Sequence, residues 1–157
     1  MAAFSLRAYV PADFETLYAI DMACYPRGIA YSRRTLRSYL SAEDADCMVA
    51  ESKTRSRMEI MGFMVAVADG SNAHIITIDV AERHRRTGVG SALLGAIEEG
   101  LAAHGVQRIA LETATSNEAG VAFWQRHGYR YAGVLRGYYL GRIDAYWLIK
   151  TLGEEKI

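Results

Sequence analysis

Two glycines and two adjacent arginines stand where one strand is predicted to end and a long helix to begin. The segment Val80-Ala-Glu-Arg-His-Arg-Arg-Thr-Gly-Val-Gly-Ser91 joins a β-rich run to residues with helical spacing. Gly88 and Gly90 would let a ligand approach backbone N–H groups, and the helix start adds unpaired donors and the positive end of its dipole. The spacing therefore predicts a turn that can bind a pyrophosphate. Its side chains that can add contacts are Arg85, Arg86 and Ser91.

The same turn has a second interpretation, which the spacing alone leaves open. The patterns GxxxxGK[ST] and GxGxxG of two well-known phosphate-binding loops are absent from the sequence. Glycines are also common in ordinary strand-to-helix turns, where they serve backbone geometry and neighbouring arginines are solvated. The turn by itself does not decide between phosphate binding and a simple connection.

Glu112 is a second residue with chemical potential. It lies in a short apolar strand whose alternation places Ile109 and Leu111 on one face and Glu112 on the other. A carboxylate in the middle of a sheet domain is unfavourable unless it is paired or used, so Glu112 is either a general base or a salt-bridged residue near a strand end. His74, at the start of the preceding β-rich run, is interpreted as a packed or surface histidine rather than a second base.

An alternating framework of strands and helices must position these residues. The predicted order is β-α-α-β-β-β-α-β-α-β-β, which gives a mixed α/β sheet of about seven strands with helices on both faces. Ser32 is the expected N-cap of the second helix. Strands are predicted at residues 4–10, 46–51, 59–68, 74–80, 107–113, 129–135 and 143–152, and helices at 11–23, 32–40, 88–104 and 117–127.

Composition limits the class of protein. The 157 residues predict one domain, 1–157, and 51% hydrophobic residues exclude a disordered chain. Lys plus Arg and Asp plus Glu both number 18, so broad nucleic-acid binding is not expected. No apolar run reaches the ~18–20 residues of a membrane span. The first residues, Met1-Ala-Ala-Phe-Ser-Leu-Arg7, lack the features of a signal peptide.

The cysteine and histidine content predicts neither a disulfide framework nor a metal site. Cys24 and Cys47 are the only cysteines, no CxxC occurs, and the four histidines are scattered along the chain. We expect two free, buried or half-buried thiols in a reducing compartment, and therefore a cytoplasmic protein.

Several segments, in their order along the chain, resemble the GNAT superfamily of N-acetyltransferases. Residues 80–94, in which an R-R-x-G-x-G pattern opens a helix, look like motif A of this superfamily. Residues 111–129 look like its motif B. Gly137-Tyr-Tyr followed by Asp144-Ala-Tyr, and Ala23-Cys-Tyr-Pro26, are similar to the RimI-type branch of protein N-terminal acetyltransferases. The resemblance covers nearly the whole chain. It implies a mostly antiparallel GNAT sheet, acetyl-CoA as co-substrate and no metal.

The resemblance also assigns residues to acetyl-CoA. In the family, the glycine turn binds the pyrophosphate of acetyl-CoA. A backbone N–H near Val80 stabilises the oxyanion of the tetrahedral intermediate. Asn117 is expected to contact the pantetheine arm, besides a simple N-capping role. Trp124 is expected to line the channel while packing on the core. The full set is Ile78, Asp79, Val80, Arg85, Arg86, Thr87, Gly88, Val89, Gly90, Ser91, Asn117 and Trp124.

Catalytic roles follow from the same resemblance, with one departure. Glu112 occupies the position of the RimI-type general base, which takes a proton from the attacking amine. Those enzymes usually have a tyrosine where this chain has Trp124, to protonate the leaving thiolate. An indole N–H cannot donate its proton at accessible pH. Either the thiolate leaves with help from water, or another tyrosine is the acid. The candidates are Tyr129, Tyr138 and Tyr139, of which we favour Tyr139.

The acceptor is expected to be the α-amine of a protein, with a ribosomal protein alanine among the candidates. In the RimI-type branch the residues matching Tyr138 and Tyr139 line the slot for a peptide N-terminus, and Tyr31 lies in the opposite wall, where the usual Pro-Trp is here Ile29-Ala30-Tyr31. Both cysteines lie outside the matched catalytic segments, which favours direct transfer. The alternatives are a small-molecule amine, a lysine side chain, or a non-catalytic acyl-CoA-binding domain. A monomer or homodimer is expected.

Overall fold

The predicted order of strands and helices is confirmed in a computed structural model that describes residues 3–153. Met1 and Ala2 belong to the segment that is predicted to lack the features of a signal peptide, and they lie outside the described residues. The strands are Ser5–Ala8 (β1), Ala45–Thr54 (β2), Arg57–Asp69 (β3), Asn72–Val80 (β4), Arg108–Ala114 (β5), Arg130–Tyr139 (β6) and Ile143–Thr151 (β7). The helices are Phe14–Cys24 (α1), Arg33–Leu40 (α2), Val89–Ala103 (α3) and Glu118–Arg126 (α4).

The strands form one sheet in the order β1-β2-β3-β4-β5-β7-β6. Every neighbouring pair is antiparallel except β4 and β5, so the expected mixed and mostly antiparallel sheet is confirmed. The parallel pairing of β4 with β5 joins residues 72–74 to residues 108–110, although both strands continue beyond these positions. The two strands therefore separate in the middle of the sheet.

Helices cover both faces of the sheet and enclose two hydrophobic clusters. On one face, Leu93, Leu94 and Ile97 of α3 pack with Trp124 of α4 against the strands. On the other face, Leu17 of α1 lies in the second cluster, which also includes residues of α2, β2 and β3. The sheet thus has an α3–α4 face and an α1–α2 face. Of the helices between residues 3 and 153, none is long and apolar enough to cross a membrane.

Local sequence signals explain where several helices begin. Ser32 caps α2, as predicted, because its hydroxyl accepts a hydrogen bond from the Thr35 amide at 3.2 Å. The predicted start of the first helix at Pro11 is wrong for an α-helix. Residues Pro11–Asp13 form a 3-10 turn and α1 begins at Phe14. Such turns are frequent at helix N-termini.

Other strand boundaries differ from the predictions. The predicted loop after residue 135 is wrong, because β6 extends to Tyr139, which pairs with Ile143 of β7. Gly137 has a φ of +63° and donates its amide to Asp144 Oδ1 at 2.9 Å, so the irregular strand remains attached to its neighbour. The polar stretch predicted between the second and third strands is mostly strand, with a tight turn at Arg55.

A β-bulge in β4 decides which face its side chains reach. Val65 of β3 pairs with Thr77, while the next residue, Ala66, pairs with Ile75, so Ile76 is an extra residue. Before the bulge, Ile75 lies in the α3–α4 core. After it, Thr77 turns toward α1, where Tyr25 meets its hydroxyl. The bulge lies two residues beyond the last residue of β4 that pairs with β5.

Candidate active site

A cleft of about 1030 Å³ opens where β4 and β5 separate. One side is formed by the loop between α1 and α2, which we call the acceptor loop (residues 25–32). The other side is formed by the turn between β4 and α3 and by α4. The cleft therefore brings together the predicted phosphate turn, the predicted base and a tyrosine of β6. These three are Gly88, Glu112 and Tyr139.

The turn before α3 has the backbone geometry of an anion-binding site. Arg86 and Gly88 have φ values of +61° and +87°, and Gly88 is the N-cap of α3. The first amides of a helix have no partner within the helix, and Gly88 has no side chain that could cap those of the 15-residue helix α3. A Cβ added at Gly88 would meet no atom within 4 Å, so backbone conformation rather than space requires glycine here.

The neighbouring turn residues have different tasks. A Cβ at Gly90 would lie 3.3 Å from Phe123 of α4, so this glycine allows α3 and α4 to approach each other beside the cleft. Thr87 donates its hydroxyl to the His84 carbonyl and holds the turn itself. Ser91 is hydrogen-bonded to His127 Nε2 at 3.0 Å. His127 was not expected beside this turn, because it lies 36 residues away from Ser91 along the chain.

Arg85 lies at the mouth of the cleft and reaches back toward the strand. Its Nε donates to the Val80 carbonyl at 3.1 Å, and its Nη2 lies 3.5 Å from Cys24 Sγ. Burial raises the pKa of the Cys24 thiol, so the thiol is protonated near pH 7. The prediction of free, half-buried thiols at Cys24 and Cys47 is confirmed.

Glu112 faces the cleft and is paired with a histidine. Its Oε2 lies 2.5 Å from His74 Nε2, across the point where β4 and β5 separate. The side chain of Glu112 is 18% exposed and that of His74 is 44% exposed. The carboxylate is therefore reachable from the cleft and held by one specific partner. The interpretation of His74 as a packed or surface histidine missed this contact.

Tyr139 is the tyrosine of β6 that lines the cleft beside Glu112. Its hydroxyl lies 3.4 Å from the backbone carbonyl of Glu112. Burial, followed by the neighbouring Tyr138 and Glu112, raises the pKa of Tyr139 to about 12. The phenol is consequently protonated at neutral pH, which is the form that can donate a proton.

The positions of two other aromatic residues, Tyr129 and Trp124, bear on which side chain could act as the acid. Tyr129 is 2% exposed, is absent from the lining of the cleft, and donates its hydroxyl to Glu98 Oε2 at 3.0 Å. This geometry removes Tyr129 from the three candidates. Trp124 lines the cleft and packs edge-on against Phe123 and Tyr129. Its expected double role in core and channel agrees with this position.

Tyrosines of the acceptor loop attach it to β4. Tyr31 donates its hydroxyl to the Ile76 carbonyl at 3.2 Å, and Tyr25 lies within hydrogen-bonding distance of Thr77 Oγ1 and the Ile78 carbonyl. Both tyrosines line the cleft. Tyr31 was expected there, whereas Tyr25 was not selected from the sequence. The acceptor loop is thus tied to the strand that forms the opposite edge of the gap from Glu112.

Comparison with known proteins decides the family. The model of the acetyltransferase (GNAT) family matches residues 14–129. The chain belongs to the GNAT family of acetyltransferases. An N-alpha-acetyltransferase of Sulfurisphaera tokodaii is 32% identical over 80 residues, covering 50% of this chain and 48% of that protein. An uncharacterised protein of Bacillus subtilis, YdhI, is 37% identical over 76 residues, 48% of this chain and 46% of that one. The chain therefore spans about half the length of these curated relatives.

Solved structures support the same fold for this GNAT protein. Ard1 of Thermoplasma volcanium has a TM-score of 0.85 at 26% identity, covering 97% of this chain and 99% of that chain. The ribosomal-protein-S18-alanine N-acetyltransferase of Escherichia coli has a TM-score of 0.84 at 23% identity, covering 98% and 97%. Arabidopsis thaliana NAA60, solved in complex with acetyl-CoA, has a TM-score of 0.86 at 20% identity, covering 97% and 100%.

The GNAT cleft does not use every residue predicted for it. Asp79 is 1% exposed and its side chain is buried against α1, so its backbone alone could contact a ligand. Thr87, Val89 and Tyr138 are also absent from the cleft lining, and Val89 is buried in the α3–α4 core. Asn117 lines the cleft and also caps α4, since its Oδ1 accepts from the Gly120 amide at 3.0 Å. The predicted residues that the structure does bring to the cleft are Tyr31, Ile78, Val80, Arg85, Arg86, Gly88, Gly90, Ser91, Glu112, Asn117, Trp124 and Tyr139.

Proposed function

We propose that this protein transfers the acetyl group of acetyl-CoA directly to a primary amine, and that the amine is the N-terminal α-amine of a protein. The observation that carries the proposal is the arrangement of the cleft. Unpaired amides at the start of α3 lie at one end, and a carboxylate held by His74 lies at the junction of the separated strands. Acetyl transfer from acetyl-CoA to an amine needs a binding site for the anionic cofactor and a base that takes the proton of the amine.

Glu112 is the proposed base. An α-amine has a pKa of about 8 and is mostly protonated at neutral pH, so it must lose a proton before or during its attack on the thioester. Glu112 accepts this proton, directly or through a water, while His74 holds the carboxylate in position. A positioned base typically contributes roughly 10²–10⁴-fold to the rate. A domain that only binds acyl-CoA has no use for this pair, so the pair favours an enzyme.

The amine nitrogen then bonds to the carbonyl carbon, and the carbonyl π electrons form an oxyanion. We propose that the backbone N–H near Val80 stabilises it, which in comparable sites is worth roughly 2.7–4 kcal/mol per donor. When the oxyanion collapses, the carbon–sulfur bond breaks and the thiolate of CoA leaves. Tyr139 is the proposed proton donor to this thiolate, since its phenol lines the cleft and is protonated at neutral pH.

The choice of a protein N-terminus rests on similarity and on the shape of the acceptor side. Relatives and structural neighbours include proteins named N-alpha-acetyltransferase and ribosomal-protein-S18-alanine N-acetyltransferase. In this chain, Tyr31 of the acceptor loop and Tyr139 of β6 both line the cleft. Two aromatic side chains from separate elements fit a chain terminus that enters between them.

The test is an acetylation assay with labelled acetyl-CoA on an array of peptides that differ in their first residues. Each peptide is paired with a copy whose α-amine is blocked and which carries one internal lysine. Labelling of free N-termini, and none of the blocked copies, supports the proposal. Labelling of the blocked copies alone would assign the activity to lysine side chains. Transfer to small amines without any transfer to peptides would overturn the proposed acceptor.

A further inference from the structure

Two carboxyl side chains are buried together between α1 and β4, on the acceptor side of the cleft. Asp21 is 0% exposed and Asp79 is 1% exposed. One oxygen of each has an ordinary donor. Asp21 Oδ2 accepts the Tyr31 amide at 2.8 Å, and Asp79 Oδ1 accepts the Thr77 hydroxyl at 2.6 Å. Neither hydrogen bond involves Glu112 or His74.

The other oxygen of each carboxyl has no donor within the described part of the chain. These atoms are Asp21 Oδ1 and Asp79 Oδ2. The two side chains interact directly, because Asp21 is the group that perturbs the Asp79 carboxyl most after burial itself. Two ionised carboxylates would leave both oxygens unsatisfied and would repel each other in a buried site, which is a strongly unfavourable arrangement. A single proton between the two side chains satisfies both oxygens at once.

We infer that Asp21 and Asp79 form a proton-sharing carboxyl pair, and that this pair positions the acceptor loop on β4 for the reaction proposed above. The path of contacts is continuous. The Tyr31 amide of the loop binds Asp21 of α1, Asp21 binds Asp79 of β4, and Asp79 is followed directly by Val80 at the cleft. Both residues are positioning residues, because their side chains lie behind the cleft wall.

The surroundings support one retained proton. Burial, followed by the contact with Asp21, raises the pKa of Asp79 well above its ordinary value. The ionisable groups facing the pair are Cys24 at the end of α1, Tyr25 and Tyr31 of the acceptor loop, and Arg85, which reaches Cys24. Burial raises the pKa of Cys24 and Tyr25 as well, so both remain neutral near pH 7. β3 places Phe63 beside Asp79.

A double-mutant cycle tests the shared proton without any activity assay. Asp21→Asn and Asp79→Asn each replace the bridging proton by an amide N–H, while the remaining oxygen keeps its donor. Near pH 4, where the unfolded carboxyls also hold a proton, each single variant should therefore unfold with an equilibrium constant within a few-fold of the wild type. In the double variant two amide NH₂ groups face each other, and we expect it to unfold at least tenfold more readily than the two single changes predict together. A double variant as stable as the single variants, or more stable, overturns the shared proton.

The pH dependence of unfolding gives an independent reading if the double variant does not fold. A carboxyl whose pKa is raised by folding keeps a proton that the unfolded chain loses above about pH 4. The wild type therefore loses stability as pH rises from about 4 toward the raised pKa, by up to about tenfold in the unfolding constant per pH unit. The slope should disappear in Asp79→Asn. An unchanged slope in that variant contradicts the inference.

Steady-state kinetics test the positioning role, which rests on the proposed function. Asp21→Ala frees the Tyr31 amide, so we expect KM for an N-terminal peptide to rise at least fivefold with KM for acetyl-CoA changed less than twofold. Asp21→Asn should restore the peptide KM. Equal changes in both KM values would overturn the positioning role. Absence of peptide acetylation in the wild type would refute the proposed function instead, and the unfolding experiments would still decide the pair.

Discussion

His74 Nε2 lies 2.5 Å from Glu112 Oε2, and the two side chains come from the two strands that separate to form the cleft. His74 is the last residue of β4 that pairs with β5, and Glu112 lies two residues beyond its partner, Ala110. A carboxylate with one fixed partner has a restricted orientation, and the proposed mechanism uses its other oxygen, Oε1, for the substrate amine. The position of the proposed base is thus set by the strand arrangement.

Replacement of Glu112 by Gln should lower kcat roughly 10²–10⁴-fold with little change in the Kd of acetyl-CoA, because the amide keeps the shape but removes the basic oxygen. Rapid-quench kinetics and calorimetry measure the two quantities. Glu99→Gln is the matched control, since Glu99 is an exposed residue of α3. Unchanged kcat at neutral pH would show that Glu112 is a structural carboxylate.

Replacement of His74 by Ala should lower kcat by less than the Glu112 variant, since His74 acts on the reaction through the carboxylate. In the double variant of His74→Ala and Glu112→Gln, kcat should equal that of Glu112→Gln alone, because residues acting as a unit are not additive. Independent, multiplicative losses in a kinetic double-mutant cycle would mean that His74 has a separate role.

Replacement of Gly88 by Val should weaken acetyl-CoA binding at least tenfold, because a β-branched residue cannot adopt a φ of +87° without moving the amides at the start of α3. Gly105→Val is the matched control. Gly105 also has a φ of +87° with no atom near its added Cβ, but it follows α3, away from the cleft. Calorimetry should show an effect for Gly88 only. Equal losses of affinity in both variants would attribute the effect to general strain.

Tyr139→Phe should lower kcat with little change in affinity for acetyl-CoA, whereas Trp124→Tyr should preserve or raise kcat by restoring a phenol where the RimI-type branch has one. Tyr131→Phe is the control, since Tyr131 is exposed on β6. Because the pKa of Tyr139 is about 12, the wild-type rate should not fall through ionisation of this phenol below about pH 10. A silent Tyr139→Phe, together with loss of activity in Trp124→Tyr, would mean that no side-chain acid is used.

The order of elements and the face of Glu112 were predictable, because hydrophobic spacing records which side of each element is buried. Ser32 was predictable as a cap for a similar reason, since a hydroxyl before a helix has a local partner. The partner of Glu112 was not predictable. His74 reaches it only through the parallel pairing of two strands that are distant in sequence, and one sequence carries no signal of that register.

The burial of Asp79 could not be predicted from the sequence either. From the sequence, residues 74–80 are predicted to form an ordinary strand, and the extra residue at Ile76 is visible only in the pairing with β3. Gly137 and Gly141 flank Tyr138 and Tyr139, a pattern that predicts a hairpin loop rather than the end of a strand. The interaction of the Gly137 amide with Asp144 keeps this segment in β6.

Arg7 provides a prediction for stability away from the cleft. Its guanidinium binds both oxygens of the buried Asp13 at 2.8 Å and lowers the pKa of that carboxyl. Arg7→Met should therefore reduce the free energy of unfolding by roughly 1.5–3 kcal/mol at pH 7. A lowered carboxyl pKa stabilises above the unfolded value near 3.9, so the difference between variant and wild type should shrink as pH falls below 4.

Urea unfolding at pH 7 and at pH 3 measures this difference. Arg33→Met is the control, because Arg33 pairs with an exposed carboxylate, Glu15, and exposed pairs contribute at most about 1 kcal/mol. A pH-independent loss in Arg7→Met would mean that the arginine stabilises the fold through its hydrophobic stem rather than through Asp13.

The open cleft depends on one extra residue in β4, Ile76. A chain shortened by Ile76 would keep Thr77, Asp79 and Val80 on their present faces, because removing a bulge restores strict alternation. It would lose the local twist and bend that the bulge adds, and β4 would continue alongside β5. Insertions and deletions are usually tolerated in loops and harmful in cores. In this strand, a single deletion that keeps every flanking side chain on its face would remove the Ile76 carbonyl that binds Tyr31 and would close the gap in which two substrates must meet.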